Sequence, residues 1–387
     1  MKSISIGPLR LFNPRNEKRS GIDRVFLLSV ILVTVYGTVM VFSAGQAYAY
    51  ARYGDESYFI KKQIIWLIIG FAVMLFSSRI KISLYKRFST HAYAITALLL
   101  FLVLIIGFVG NGAKRWISIG PITIQPSEIA KLTMILMLAK YFSNNEELIL
   151  DRRKKKNALI YSTLLPIGIM TLPIVLVMLQ KHLSCIIILS ALGLLMIYGS
   201  GASMRYISIF CLGGVSGISA LALFTDYTKE RITVWRNPEA YKLTGGWQTL
   251  QGLMAIGSGG LFGVGYGNSV MKHCYVSEPA NDMIFAILCE ELGLCGATLA
   301  ILLFGLLFYR GLVIASNSRD TYSRLVAYGI SIKMALQTLL NIAVVTNTIP
   351  NTGISLPFFS SGGTALVMLL AEMGIVLSVS RSINNKK

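Results

Sequence analysis

The chain has 387 residues, of which 54% are hydrophobic and 14% charged, and its mean hydropathy is +0.65. A soluble globular chain carries about 25% charged residues, so this composition excludes a soluble enzyme with one buried core. It also excludes a disordered, collagen-like or disulfide-stapled chain. Lys and Arg total 36 against 17 Asp and Glu, a net charge of +19. Basic loops that orient a membrane protein explain this excess better than nucleic-acid binding.

Apolar runs predict an all-α polytopic membrane protein with about ten transmembrane helices. The runs approach the length of about 20 residues that crosses a bilayer. The first run has an apolar core that is too long for a signal peptide, so we interpret it as an uncleaved span. The predicted spans are residues 25–44, 63–78, 92–109, 127–142, 158–178, 184–200, 206–224, 283–308, 326–348 and 362–380.

Basic residues between the spans predict the orientation. The N-terminal tail 1–24, the block at 152–156 and the C-terminal tail 381–387 are rich in Lys and Arg. With these segments in the cytoplasm, roughly two thirds of the basic residues lie on the inner side, as the positive-inside rule requires. An even number of spans then places both termini in the cytoplasm, with one transmembrane domain at 25–380. The block at 152–156 also suits contact with anionic membrane lipids.

One outer loop, 225–282, joins the seventh and eighth predicted helices and is long enough to carry function. It contains the glycine-rich stretch 255–269. The glycine spacing does not fit a dinucleotide-binding turn between a strand and a helix. Glycine lets the backbone approach a ligand closely or turn sharply, so a binding loop and a hinge are both open interpretations.

Asp282 stands where this loop meets the eighth span, with apolar residues on its C-terminal side. A carboxylate at such a boundary is partly desolvated, which raises its pKa toward the range of a general base. Asp also favours the N-cap position of a helix. Catalysis and helix capping are therefore both open for Asp282, and one does not exclude the other.

Charged residues also lie within the predicted spans. Glu128 and Lys131 are three residues apart and share one helix face, one turn inside the fourth span. An ion pair there is costly unless it faces a polar cavity, so these residues are either a functional site or a structural pair. Lys333 and Glu372 lie at the same depth, about 12 Å from the inner face. We predict that they form a structural ion pair between the ninth and tenth spans.

A group of cations is predicted at the outer face. Lys114 and Arg115 precede the fourth span together with Trp116, and Arg231 and Lys272 add positive charge to the long loop. Such a basic vestibule suits a substrate that bears phosphate. Trp116 is equally explained as an aromatic residue at the membrane interface. The five cysteines show no zinc-type spacing, and the sequence reveals no other metal-ligand set.

Several segments form long motifs that occur in order along the predicted topology. They are GNGAKRWISIGPITIQPSEIAKL (110–132), RITVWRNP (231–238), GGWQTLQGLMAIGSGGLFGVGYG (245–267), NDMIFAILCEELG (281–293) and NIAVVTNTIPNTGISLPFFSSGG (341–363). With these motifs the chain resembles the SEDS family of polytopic peptidoglycan glycosyltransferases, which includes FtsW, RodA and SpoVE. The stretch at 39–66 looks closer to the FtsW and SpoVE branch than to RodA.

The resemblance implies an enzyme of the bacterial cytoplasmic (inner) membrane that transfers disaccharide–peptide units from lipid II to a growing glycan on the outer face. For an FtsW-like member it implies septal cell-wall synthesis in cell division. The implied partners are a class B penicillin-binding protein, which is the transpeptidase, and other cell-division proteins. The alternatives are a RodA-like elongation polymerase, a flippase or transporter of lipid II, and a non-catalytic scaffold.

The resemblance also implies roles for individual residues. The family's essential carboxylate matches Asp282, which would act as the general base of an inverting transfer. The family's functionally important Trp and Lys match Trp116 and Lys131, with Glu128 beside them. The expected substrate-binding set is Lys131, Glu128, Trp116, Arg115, Lys114, Arg231, Gln248 and Lys272.

The departing lipid diphosphate needs positive charge, and Lys131, Arg115 and Arg231 are the candidates for contacts to it. A divalent cation, Mg²⁺ or Mn²⁺, is an alternative for part of that charge. The chain departs from the family's pattern at His182, which stands where relatives carry an acid after the fifth span. This substitution puts a polar or metal contact at that position in doubt.

Overall fold

The computed structural model describes residues 21–110, 113–120, 122–150, 159–202, 226–273 and 275–384, and this part of the chain is mostly helical. The helices are α1 (Arg24–Tyr53), α2 (Tyr58–Arg79), α3 (Ile82–Ile106), α4 (Pro126–Asn144), α5 (Glu146–Leu150), α6 (Ile160–Leu179), α7 (Leu183–Gly199), α8 (Asp226–Arg236), α9 (Trp247–Ser258), α10 (Ile284–Asn317), α11 (Thr321–Val345) and α12 (Gly363–Asn384).

Seven of the described helices are long and apolar enough to cross a membrane: α1, α2, α3, α6, α10, α11 and α12. The apolar helix α7 is shorter, and α4 carries three charged residues, Glu128, Lys131 and Lys140. Both coincide with predicted spans. The predicted span 206–224, the basic block at 152–156 and most of the N-terminal tail lie outside the described residues. The polytopic helical fold is therefore confirmed, while the count of ten spans stays a prediction.

The helices differ in how far the protein surrounds them. In α11 and α12, 61% and 67% of the most apolar window is buried inside the protein, against 17% in α2 and 22% in α3. We therefore place α11 and α12 at the centre, with α2 and α3 presenting apolar side chains to lipid. Small residues bring α2 close to α12, because a Cβ on Gly70 would meet the Leu370 side chain at 2.5 Å.

The residues between α3 and α4 form a small antiparallel sheet that the sequence did not predict. Its strands are β1 (Phe108–Gly110), β2 (Ala113–Ile119) and β3 (Ile122–Ile124), in the order β1-β2-β3. Ile117 pairs with Ile124 and Ile119 with Ile122, so β-branched residues fill the β2–β3 register. The all-α expectation thus describes the membrane part of the chain but not this segment.

The predicted outer loop, 225–282, is partly folded within its described residues, 226–273 and 275–282. It contains α8, a 3₁₀ turn (Pro238–Tyr241) and α9, followed by the glycine-rich segment. We call the end of the bundle that carries this loop the outer end. The glycine-rich segment packs against α1, where the hydroxyl of Tyr266 donates to the Val39 carbonyl oxygen at 3.0 Å. Val39 lies within the predicted first span, so the Tyr266 side chain contacts α1 inside that span.

Helix α10 is broken at Gly293. The φ of this residue is +63°, in the left-handed region that favours glycine, and a Cβ there would lie 2.4 Å from the backbone nitrogen of Gly263. Residues 284–292 therefore form a separate outer half of α10. The sequence predicted one continuous span at this place, because hydropathy does not distinguish a broken helix from a straight one.

Candidate functional site

Asp282 lies at the outer end of the bundle, next to the start of α10. The helix begins at Ile284, and its cap position is Met283, which makes no side-chain capping hydrogen bond. The N-cap interpretation of Asp282 is therefore wrong. The Asp282 side chain is partly buried.

Two amide side chains hold Asp282 in different ways. Asn341, which is fully buried on α11, donates to the backbone oxygen of Asp282 at 2.9 Å and to that of Ile354 at 2.6 Å. Gln248 on α9 reaches the carboxylate itself, but only at 3.5 and 3.4 Å from its two oxygens. These long contacts leave the carboxylate with spare capacity to accept a proton or a hydrogen bond.

The surroundings of Asp282 raise its pKa. Burial is the main cause and the negative charge of Glu278 adds to it, and together they bring the pKa of Asp282 to about 6. A general base works best when its pKa lies near the pH of the reaction. Asp282 is ionised above this value and loses its charge as the pH falls through it.

The segment at 347–356, between α11 and α12, connects Asp282 to the outer loop. Arg231 on α8 donates to the carbonyl oxygen of Asn351, whose side-chain nitrogen donates to Gln248 Oε1 at 3.2 Å. Trp235 on α8 donates its ring N–H to the carbonyl oxygen of Asn347 at 2.9 Å. The structure therefore brings the predicted residues Arg231 and Gln248 into one cluster with Asp282.

The predicted pair Glu128–Lys131 belongs to the same polar region. The Lys131 ammonium lies 2.7 Å from Glu128, and the Lys131 side chain is only 2% exposed. It also donates to Gln337 Oε1 at 3.4 Å, and Gln337 donates to the Ser355 carbonyl oxygen at 3.2 Å. Gln337 is one helical turn from Asn341 on α11. One face of α11 thus links the pair to the segment that holds Asp282.

Arg115 approaches the fourth helix through the turn between α6 and α7. It donates to the Lys181 carbonyl oxygen at 2.6 Å, and the neighbouring His182 lies 3.5 Å from the hydroxyl of Ser127. Burial, with a smaller contribution from the charge of Arg115, lowers the pKa of His182 to about 3, so His182 is neutral at pH 7. The chain therefore places an uncharged ring beside the start of α4.

Two other predicted residues lie beside Arg115 on β2. Lys114 is exposed and pairs in register with Val109, and Trp116 is partly buried and pairs with Phe108. Both are at the outer end, as predicted. The hydrogen bonds that reach Asp282 come from other elements, so contacts of Lys114 and Trp116 with a substrate stay predictions.

Lys272 does not join this site. Its ammonium forms a buried ion pair with Glu291 at 2.9 Å, and the two side chains are 2% and 0% exposed. The interpretation of Lys272 as a substrate contact is therefore corrected, because its charge is already neutralised inside the protein. The second predicted intramembrane pair is confirmed, since Lys333 and Glu372 are 2.6 Å apart and buried.

Sequence reasoning missed Asn341, Gln337 and Asn351 as members of the site. Gln337 and Asn341 are four residues apart on α11, a pattern that indicates a polar stripe facing a polar partner. Their backbone partners are contributed by loops and could not be read from spacing. Among the residues that the structure describes, no group of three or more His, Cys, Asp or Glu side chains could hold a metal ion.

The membrane helices and the polar cluster at their outer end define a polytopic membrane protein with a candidate active site near the membrane surface. The family model of cell cycle proteins of the FtsW, RodA and SpoVE type matches residues 23–385. The chain therefore belongs to this family, which is the SEDS family that its motifs resemble.

Individual relatives match over nearly the whole chain. Stage V sporulation protein E of Bacillus subtilis is 38% identical over 366 residues, covering 94% of this chain and 98% of that protein. The probable peptidoglycan glycosyltransferase FtsW of Geobacter sulfurreducens is 32% identical over 361 residues, covering 92% and 95%. These two relatives are of the SpoVE and FtsW types, in agreement with the predicted branch.

Solved structures share the fold. The rod shape determining protein RodA of Thermus thermophilus is 25% identical, with a TM-score of 0.70 over 94% of this chain and 98% of that one. A chain of a peptidoglycan synthase complex that coordinates polymerization and crosslinking is 23% identical, with a TM-score of 0.78 over 94% and 99%.

Proposed function

We propose that this protein is a peptidoglycan glycosyltransferase that polymerises lipid II on the outer face of the cytoplasmic membrane. Its family and its FtsW-type relatives support this activity. The observation that carries the proposal is the state of Asp282. This carboxylate is partly buried, has a raised pKa and receives only long hydrogen bonds from Gln248, as suits a general base.

Asp282 acts as the base in a single inverting displacement. It accepts the proton of the acceptor sugar hydroxyl as that oxygen attacks the anomeric carbon of the donor. The bond from this carbon to the lipid diphosphate breaks, and its electron pair leaves with the diphosphate. Positive charge near the departing group stabilises the transition state.

The cations of the outer end have different access to this diphosphate. Arg231 and Arg115 are partly buried at the outer end, and each also donates to a backbone carbonyl. Lys131 is sealed and paired with Glu128, so it would contribute by orienting that carboxylate and Gln337. We therefore propose Arg231 and Arg115 as direct diphosphate contacts and Lys131 with Glu128 as the support beneath them. Lys114 and Trp116 would border the entrance.

The relatives also support proposals about partners and place of action. The solved peptidoglycan synthase complex coordinates polymerization with crosslinking, so we propose a class B penicillin-binding protein as the partner transpeptidase. The FtsW-type relatives favour action at the division septum with other division proteins. Depletion of the protein should then produce filaments. Rounded cells would instead favour an elongation role.

The direct test is polymerisation of fluorescently labelled lipid II by the purified protein in vesicles, with and without its partner. We expect a ladder of glycan strands that a muramidase digests. A flippase is the second candidate, because Lys131 and Lys333 with their acids place charge inside the bundle. Transbilayer movement of labelled lipid II without any polymer would reject the glycosyltransferase and favour the flippase.

A further inference from the structure

A second polar cluster lies at the other end of the outer half of α10, away from Asp282. Lys272 donates to Glu291 at 2.9 Å, to the hydroxyl of Ser43 at 3.1 Å and to the Gly267 carbonyl oxygen at 2.7 Å. Ser43 in turn donates to Glu291 at 2.6 Å. All three protons of the ammonium thus have acceptors. The cluster is sealed, since Ser43, Lys272 and Glu291 are at most 2% exposed.

The adjacent Glu290 is held by the same loop. It accepts from the hydroxyl of Ser269 at 2.5 Å and from the backbone nitrogens of Val270 and Met271 at 2.9 and 3.3 Å. The loop therefore binds two consecutive side chains of α10, Glu290 and Glu291, and Ser43 connects Glu291 to α1. Both carboxylates accept shorter side-chain hydrogen bonds than the contacts of 3.4 and 3.5 Å between Gln248 and Asp282.

Because α10 is broken at Gly293, residues 284–292 depend on contacts with the loop for their position. The outer half, 284–292, spans about 13 Å at 1.5 Å per residue. The helix does not continue regularly past Gly293, so its last carbonyl oxygens need other donors. The backbone nitrogens of Val264 and Gly265 donate to the carbonyl oxygens of Glu290 and Glu291 at 2.9 and 3.0 Å. Covalently, the outer half is joined to the rest of α10 through a glycine with a free dihedral range.

We propose that Lys272 and Glu291 are positioning residues that set the direction of residues 284–292 and thereby the place of Asp282. The ion pair fixes one end of this short helix to α1 through Ser43, while Asn341 fixes the backbone at Asp282. Lys272 and Glu291 touch no substrate. The inference rests on the proposed catalytic role of Asp282 and adds a structural cause for its alignment.

The test combines kinetics with hydrogen exchange of the full-length protein in nanodiscs. Glu291→Gln removes the ion pair at nearly constant shape. We expect faster exchange of the backbone amides at 281–292 and a loss of kcat of about 100-fold, the cost of misplacing a reacting group by about 1 Å. The KM for lipid II should change little, because neither residue binds it.

The chain offers a matched control. Asp23, the N-cap residue of α1, and Arg310 of α10 form an ion pair at 2.5 Å on the far side of Gly293. Arg310→Met should leave exchange at 281–292 and kcat unchanged. The double variant Lys272→Glu with Glu291→Lys exchanges the two charges and keeps an ion pair. It should therefore recover part of the kcat that Glu291→Gln loses.

If Glu291→Gln misfolds, Ser43→Ala provides a milder variant, because it removes the connection to α1 without leaving an unpaired charge. We then expect faster exchange of the amides at 281–292 and a smaller loss of kcat.

Faster exchange at 281–292 with an unchanged kcat would overturn the positioning role. An Asp282→Asn protein that polymerises normally would instead reject the catalytic role of Asp282. Unchanged exchange at 281–292 in Glu291→Gln would reject the structural part of the proposal, whatever the activity of Asp282→Asn.

Discussion

The two ends of the short helix 284–292 place carboxylates in opposite surroundings. Asp282, just before the helix, is partly buried and meets Gln248 only at 3.4 and 3.5 Å. Glu290 and Glu291, at its other end, are sealed and accept hydrogen bonds as short as 2.5 and 2.6 Å. A satisfied carboxylate stabilises the fold, whereas one with free lone pairs can take a proton. The difference lies in the partners, since all three residues are acids.

The largest effect should follow from removing the free carboxylate. Asp282→Asn keeps the shape and the contact with Gln248 but cannot accept a proton, so we expect polymerisation to fall by about 100- to 10,000-fold. The measurement is the initial rate of glycan formation from lipid II. As a control, Asp55→Asn alters an exposed acid of the outer end, which is paired with Lys61, and should leave the rate unchanged.

Removing one partner of a sealed pair should instead affect stability. Lys333→Met leaves Glu372 buried without its counter-charge, and breaking such a pair costs about 3–5 kcal/mol. We expect a lower melting temperature in detergent. The double variant Lys333→Met with Glu372→Leu removes both charges and should recover most of the loss. A single variant as stable as the wild type would contradict the distinction between the two environments.

The pH profile should report the environment of Asp282 directly. The activity should fall as the pH decreases through about 6, because the base is then protonated. Glu278→Gln removes a negative charge that raises this pKa, so the midpoint should move to lower pH. Gln248→Leu removes a donor that lowers the pKa, so the midpoint should move to higher pH. Equal midpoints in all three proteins would exclude Asp282 as the titrating group.

The smallest effect is expected for the exposed pair Asp55–Lys61. Its side chains are 41% and 66% exposed, and water and salt screen such a pair. Lys61→Met should therefore leave the melting temperature unchanged within experimental error. A clear loss of stability would show that this turn between α1 and α2 packs against another part of the protein.

Sequence reasoning reached the features that depend on local patterns. Hydropathy located the long apolar helices of the described part of the chain. The position of Asp282 between a polar loop and an apolar run marked it as the candidate base. The i,i+3 spacing of Glu128 and Lys131 was sufficient to place them together. Equal depth in antiparallel spans was sufficient for Lys333 and Glu372. Each of these inferences needs only the rise of a helix and the thickness of the bilayer.

Lys272 shows where such reasoning ends. A lysine in a basic outer loop has the appearance of a substrate contact, but its partners Ser43 and Glu291 are 248 residues apart in sequence and meet only when the loop folds back against α1. The chain by itself determined the membrane class, the family motifs and the candidate base, because hydropathy and motif spacing are local. Only the tertiary structure decided which charges are sealed and which stay open. Desolvation and hydrogen-bond satisfaction depend on contacts between segments distant in sequence.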